Sequence, residues 1–245
     1  MKINIFKTKE NMGKAAAEKA AEILISTIKK KGEAVFVVAT GASQFEFLEN
    51  LTKMASIGWN KTTMFHLDEY VGLTENHPAS FRRYLKDRFI NKVHPSNFYL
   101  VKGDADNPEK ECERLNGIIS QKEIDVTFVG IGENGHLAFN DPPADFNTEK
   151  PYIIVELDDA CRKQQLGEGW FKSFEDIPKK AISMSVKQIM KSKHIICTVP
   201  DKRKAQAVKD CFKGDDISPE YPASILKNHD NCFVFLDNQS SIYLK

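Results

Sequence analysis

Short runs of β-branched and aromatic residues alternate along this chain with longer segments whose apolar positions recur every three or four residues. The short runs predict strands at 35–39, 63–67, 98–101, 125–130, 152–156, 181–184, 194–199 and 232–236. Several are apolar throughout, as strands covered on both faces must be. The longer periodic segments predict helices at 10–30, 44–57, 80–91, 108–121 and 202–212. The first carries the run AAAEKAAEILISTI, strong helix formers with one apolar stripe. Such alternation predicts an α/β fold, a three-layer α/β/α arrangement with a mostly parallel sheet between helices. No repeat, low-complexity tract or Pro/Gly/Ser linker interrupts the pattern, so residues 1–245 read as a single domain. Residues 140–150 break the rhythm. They are too polar and Pro-interrupted for core and read as a candidate active-site loop.

Composition narrows the class. With 41% hydrophobic and 28% charged residues, the chain has the apolar content that disorder lacks. No apolar run approaches the roughly 18 residues that a membrane span needs. Thirty-five basic against 34 acidic residues leave a formal charge of +1, which provides no basic field for nucleic acid. The five cysteines, Cys112, Cys161, Cys197, Cys211 and Cys232, are scattered and contain no CxxC pair. That fits reduced thiols, and MKINIFKTKE at the N-terminus lacks an apolar signal core, so a cytoplasmic location is expected.

Ligands of open parallel sheets bind beyond the carboxyl ends of the strands, and three such ends are unusual here. Thr40, Gly41, Ala42 and Ser43 form a small-residue turn whose N–H groups and hydroxyls suit an anion at a helix start. The turn lacks the GKS/T ending of a nucleotide-triphosphate loop. On its own it also reads as an ordinary βα turn capped by Ser43. The second end places His66 before Asp68 and Glu69. Neighbouring strand residues point to opposite faces, so one carboxylate is expected to act as a base while the other braces the loop. His66 and Asp68 share a face, but no further cluster joins them, and no metal is expected. The third end, GIGENGHLAFNDPP at 130–143, spells GxGxxG, yet Pro142 and Pro143 stop any helix that a dinucleotide site would require. What remains is a tight turn presenting His136, with Asp141 five residues on, suited to acid–base work.

On LDEYVGL at 67–73, HPASF at 77–81, GIGENGHLAFNDP at 130–142 and Lys204-Ala205 after the strand at 194–199, the chain resembles the glucosamine-6-phosphate deaminase (isomerase) family over essentially its whole length. The resemblance implies a modified Rossmann-like fold. It also implies conversion of glucosamine 6-phosphate and water to fructose 6-phosphate and ammonia, with no organic cofactor. By position, Asp68 resembles the base that moves a proton between C2 and C1, and His136 the group that opens the pyranose ring. Asn134 and Asp141 match its partners, while Thr40, Gly41, Ala42, Ser43 and Lys204 match the phosphate cradle. Glu69 and Gly135, within the two blocks, are expected at the substrate.

Three positions depart from the family pattern. Asn134 stands where many members carry aspartate, and Asp141 where glutamate is usual. Gly169, in GEGWF at 167–171, stands where a second phosphate-gripping arginine is expected. Arg162 or the neighbouring Lys163 is the expected replacement, with 161–171 as a lid or second wall. Two rival functions share the scaffold. A 6-phosphogluconolactonase resembles the family in its phosphate loop and histidine turn, but DEYVGL is the deaminase-like form. A non-catalytic sugar-phosphate sensor would tolerate loss of Asp68 and His136, and both are present. The expected partner is a small sugar phosphate, neither nucleic acid nor membrane, with a homo-oligomer left open.

Overall fold

A computed structural model describes residues 1–244. In chain order the elements are β1 (Lys2–Phe6), α1 (Lys9–Lys31), β2 (Ala34–Val38), α2 (Phe45–Thr52), β3 (Thr62–His66), β4 (Asp68–Tyr70), α3 (Phe81–Leu85) and α4 (Asn91–Val93). They continue as β5 (Asn97–Tyr99), α5 (Pro108–Ile119), β6 (Val126–Val129), β7 (Tyr152–Glu156), α6 (Asp159–Gly167), β8 (Lys180–Met184), α7 (Val186–Met190), β9 (His194–Val199), α8 (Ala205–Phe212) and β10 (Cys232–Asp237). Seven strands form one sheet in the order β1-β10-β9-β6-β2-β3-β5. Every neighbouring pair in it is parallel.

The sheet is buried on both faces because its strands are apolar at successive positions. Along β2, Ala34, Phe36 and Val38 pack with Ala16, Ala20, Phe47 and Leu51 of α1 and α2. Val35 and Val37, on the opposite face, join Leu115 and Ile119 of α5 and Val208 of α8. The result is the three-layer α/β/α arrangement expected from the pattern. Among the described residues, no helix is long and apolar enough to cross a membrane.

Two of the expected strands lie elsewhere. Residues 152–156 and 181–184 form β7 and most of β8, which pair antiparallel with each other and with β4 in a second sheet of order β4-β8-β7. Leu67 is the point of transfer. Its N–H donates to Val38 of the main sheet at 3.3 Å, while its carbonyl accepts from Met184 of the second at 2.7 Å. One residue therefore belongs to both sheets, and Asp68 follows it directly. The edge strand β1 escapes the sequence pattern because its polar Lys2 and Asn4 alternate with half-exposed Ile3 and Ile5.

The chain runs through β2, β3 and β5 to one side, then returns to set β6 on the other side of β2. Beyond the carboxyl ends of strands at such a reversal lies the natural ligand crevice of an open sheet.

Candidate active site

A cleft of about 580 Å³ opens at this reversal. Loops from the carboxyl ends of four parallel strands line it. Residues 40–43 follow β2, Asp68 follows β3, Gly130–Gly132 and His136 follow β6, and Arg203 and Lys204 follow β9.

At the β2 end, Gly41 adopts φ +92°, a left-handed conformation that lets the chain turn directly into a short 3₁₀ helix over Ala42–Gln44. Ser43 lies inside that helix and does not cap it; its hydroxyl accepts from Gln44 Nε2 at 3.1 Å and borders the cleft. Gln44 is fully buried and also donates to Thr198 of β9 at 2.9 Å, tying two strand ends together. Tyr84 donates its hydroxyl to the Gly41 carbonyl at 3.0 Å. The turn is held from outside, leaving its inner face to a ligand.

Lys204 meets this turn from a 3₁₀ helix over Lys202–Lys204. Asp201, just before it, has φ +77°, a costly backbone for a non-glycine residue. Asp237 of β10 accepts from the Asp201 N–H at 3.3 Å and helps to hold that conformation. Lys204 is only 3% exposed. Burial, reinforced by the neighbouring Arg203, pulls its ammonium down to about 8. A cation so placed is short of a counter-charge, which a phosphate would supply.

Asp68 and Glu69 face opposite ways, as strand geometry requires. Asp68 borders the cleft, and burial followed by the nearby Glu69 charge pushes its carboxyl well above the ordinary carboxylate range. Glu69 lies outside the cleft lining with no solvent exposure. It accepts from the Ser80 hydroxyl at 2.8 Å and from the N–H groups of Phe81 and Arg82 at 3.2 and 3.0 Å. Arg82 Nε approaches it at 3.4 Å, completing a brace that fixes the start of α3. Glu69 is therefore placed in the loop scaffold and not at the substrate. His66 is equally internal, accepting from the Val101 N–H at 2.7 Å, and burial drives its imidazole down to about 3. It stays neutral and offers the cleft nothing.

The β6 loop is shaped around His136. A Cβ on Gly132 would lie 2.4 Å from the imidazole, so only glycine lets the ring fold back against the turn. The turn closes through Gly132 N–H to His136 O at 2.9 Å, and Asn134 Oδ1 accepts from the His136 N–H at 3.2 Å. His136 Nδ1 lies 2.9 Å from Asp141 Oδ1, but the two are poorly aligned, and Nδ1 has no well-directed hydrogen-bond partner. Burial opposes ionisation of Asp141, yet His136, Asn134 and the Asp158 N–H outweigh it and hold the carboxyl below its ordinary value. Asn134 itself donates to Asp141 at 3.1 Å and lies outside the cleft. It orients the pair from behind. Gly135 also stays outside, where a Cβ would lie 2.8 Å from Cys211 Sγ. Of residues 140–150, only Asp141 takes part in this group, reaching it from the loop's first turn.

The sequence profile described as glucosamine-6-phosphate isomerases/6-phosphogluconolactonase matches residues 7–235. The chain belongs to this family. It is 34% identical over 228 residues to glucosamine-6-phosphate deaminase 1 of Bacillus subtilis (strain 168), covering 91% of this chain and 92% of the relative. With the glucosamine-6-phosphate deaminase of Oenococcus oeni it shares 35% identity over 94% of both chains. A solved monomeric glucosamine-6-phosphate deaminase superposes with a TM-score of 0.89 at 31% identity, covering 99% of this chain and all of that one. A 6-phosphogluconolactonase from Shewanella baltica shares the fold, with a TM-score of 0.80 at 19% identity over 97% of both chains.

Against the family pattern, the departures resolve unevenly. Arg162 does not replace the missing arginine. Its guanidinium donates to the carbonyls of Phe174 and Ile177 at 2.9 and 3.2 Å and stacks 4.0 Å from the Phe174 ring, outside the cleft lining. Lys163 is exposed and Gly169 sits in a left-handed turn with open space around it; neither borders the cleft. Arg203 does border it, beside Lys204, with its guanidinium 3.6 Å from Glu133. The run KRK at 202–204 carried that signal. The opposite wall is α6, in the segment 161–171 expected as a lid or second wall. Gln164 and Gln165 of α6 and Glu168 just after it line the cleft, with Gln165 accepting from Tyr70 at 2.7 Å and Gln164 from the Glu133 N–H at 2.8 Å.

Proposed function

We propose that this chain is a glucosamine-6-phosphate deaminase, converting glucosamine 6-phosphate and water to fructose 6-phosphate and ammonia. The observation that carries the reading is a carboxylate, Asp68, and an imidazole, His136, bordering one cleft with an anion cradle and a buried lysine. Lys204, Arg203 and residues 40–43 take the 6-phosphate, a remote handle whose binding positions the reacting end. His136 takes the proton from the anomeric hydroxyl and returns one to the ring oxygen, giving the open-chain aldehyde. Asp141 stabilises the imidazolium formed in between.

Asp68 then removes the C2 proton, the electron pair passing toward the C1 carbonyl to form an enolamine. Return of that proton to C1 leaves an imine at C2, which water hydrolyses to the ketone with loss of ammonia. A carboxylate held above its usual proton affinity is the better base once ionised. Glu69 stays in the scaffold throughout. The five cysteines are all reduced and buried, which supports a reducing compartment and a cytoplasmic location.

Ammonia release across a panel of hexosamine 6-phosphates, run in deuterated solvent, tests the proposal. The expected result is ammonia from the gluco isomer with deuterium entering at C1. Lactone hydrolysis needs a base for water but none for carbon, so a lactonase would release no ammonia and exchange no carbon-bound hydrogen. A sensor would bind the sugar phosphate and do neither.

A further inference from the structure

Behind the wall of the cleft, a third side chain converges on the histidine–aspartate pair. Cys161, in the first turn of α6, is 1% exposed, and its sulfur lies close to the Asp141 carboxylate. The donor atoms of His136, Asp141 and Cys161 all lie within 4.8 Å of one another. Among the described residues no other group of three histidine, cysteine or acidic side chains closes in this way.

We infer that His136, Asp141 and Cys161 form a binding site for a borderline-soft divalent cation, Zn²⁺ in particular, whose occupancy shuts down the active-site histidine. One imidazole nitrogen, one carboxylate oxygen and one sulfur are a zinc donor set, leaving a fourth position for water. Tetrahedral bonds of about 2.0–2.3 Å place such donors roughly 3.3–3.6 Å apart, a spacing reached here by shifts of about an ångström. The poor alignment between His136 Nδ1 and Asp141 supports the same reading. Nδ1 is buried and lacks a well-directed partner, although a carboxylate oxygen lies 2.9 Å away.

Access exists from two sides, since His136 borders the cleft and Asp141 borders a shallow depression on the outer surface of the loop. A hard cation such as Mg²⁺ prefers six oxygens and gains nothing from sulfur. On binding, Zn²⁺ displaces the thiol proton and any proton on Nδ1 to solvent. His136 can then neither gain nor pass on charge through Asp141. The site takes His136 and Asp141 out of the proposed catalytic cycle and so opposes it.

Zinc and magnesium titrations of the metal-free protein, followed by calorimetry, test the inference without reference to any substrate. A single Zn²⁺ should bind per chain while Mg²⁺ does not. Co²⁺ in its place should develop a near-ultraviolet thiolate-to-cobalt absorption band. Cys161→Ser nearly preserves the side chain's size but removes the sulfur. It should lose the cobalt band and weaken zinc binding by at least the roughly 10- to 100-fold that loss of an outer-shell partner costs. Zinc should also inhibit turnover, with chelator restoring it. Cys161→Ser should need correspondingly more zinc for half-inhibition, measured against its own metal-free rate. Cys211→Ser, at a thiol outside the group, should keep the band. If Cys161→Ser fails to fold, Asp141→Asn reports instead, through a similar loss of zinc affinity. A cobalt band that survives in Cys161→Ser, equal zinc affinity in the variants and wild type, or no zinc binding at all would overturn the inference. None of these results depends on whether glucosamine 6-phosphate is the substrate.

Discussion

Asp68 and Glu69 are adjacent in sequence, yet one borders the cleft while the other accepts hydrogen bonds from Ser80, Phe81 and Arg82 with no solvent exposure. The two carboxylates should fail differently when neutralised. Asp68→Asn keeps its shape but cannot accept a proton, so kcat should drop by about 10²- to 10⁴-fold and deuterium exchange should vanish, while the melting temperature rises or holds because a buried charge beside Glu69 is removed. Glu69→Gln leaves Arg82 its ion pair with Asp104 at 2.8 Å but disrupts the bonds that Glu69 accepts from Ser80, Phe81 and Arg82, and should cost about 1–3 kcal/mol in denaturant unfolding. An Asp68→Asn enzyme that still exchanges hydrogen would move the base elsewhere.

The Lys204 ammonium, drawn down to about 8 by burial, gives the pH profile an alkaline limb. Below that value the lysine is charged and grips phosphate; above it the charge is lost, so kcat/KM should fall as pH rises past about 8. Lys204→Arg remains charged and should lose that limb, even where its KM is higher at neutral pH. Any titration of the substrate itself is common to both enzymes and cancels in the comparison.

The two arginines separate binding from stability. Arg203→Ala removes a charge-assisted contact of about 1.5–3 kcal/mol and should raise KM by roughly 10- to 100-fold, with kcat much less affected. Arg162→Ala should leave KM unchanged and lower stability by about 1–3 kcal/mol, because the carbonyls of Phe174 and Ile177 lose their donor. The opposite pattern would return the phosphate to Arg162.

Gly132→Ala places a methyl group 2.4 Å from the His136 ring. The imidazole must move by about an ångström, a misplacement that costs on the order of 10²-fold in rate. Turnover should fall by that much while far-ultraviolet circular dichroism is unchanged. A rate within a fewfold of wild type would mean that the ring position is not critical.

His136→Gln should slow closed-ring substrate far more than an open-chain analogue that bypasses ring opening. Equal slowing of both would assign the histidine another role. Asp141→Glu restores the family-typical length. The carboxylate already reaches Nδ1 at 2.9 Å, so the longer side chain should lower activity by crowding that contact.

The places of Asp68 and His136 at the cleft were legible because each carries a local mark, a strand end and a glycine turn, whereas Lys204 was reached through the family resemblance. The main sheet was legible for a related reason, since full burial requires strands apolar at every position. What stayed hidden depends on contacts between distant segments. β7 and β8 have ordinary strand sequences, and only the bonds of Leu67 to Val38 and Met184 assign them to a second sheet. Arg162 and Gln165 lie three residues apart on α6. Their roles diverge because Phe174 covers one and Tyr70 meets the other, information carried by neither residue's neighbours in sequence.

The pairing of Lys2 with Phe233 makes β1 wait for β10 before it finds a partner. At about 5–20 residues per second, β1 emerges from the ribosome roughly 10–50 s before β10 is made. For all of that interval its unpaired backbone is open to association with other chains. The same delay holds back Ala223, whose N–H donates to the Gly135 carbonyl at 2.9 Å and backs the histidine turn. A nascent chain thus carries Asp68 and His136 long before it can hold them in a working arrangement, and enzymatic activity should appear only after β10 has been made.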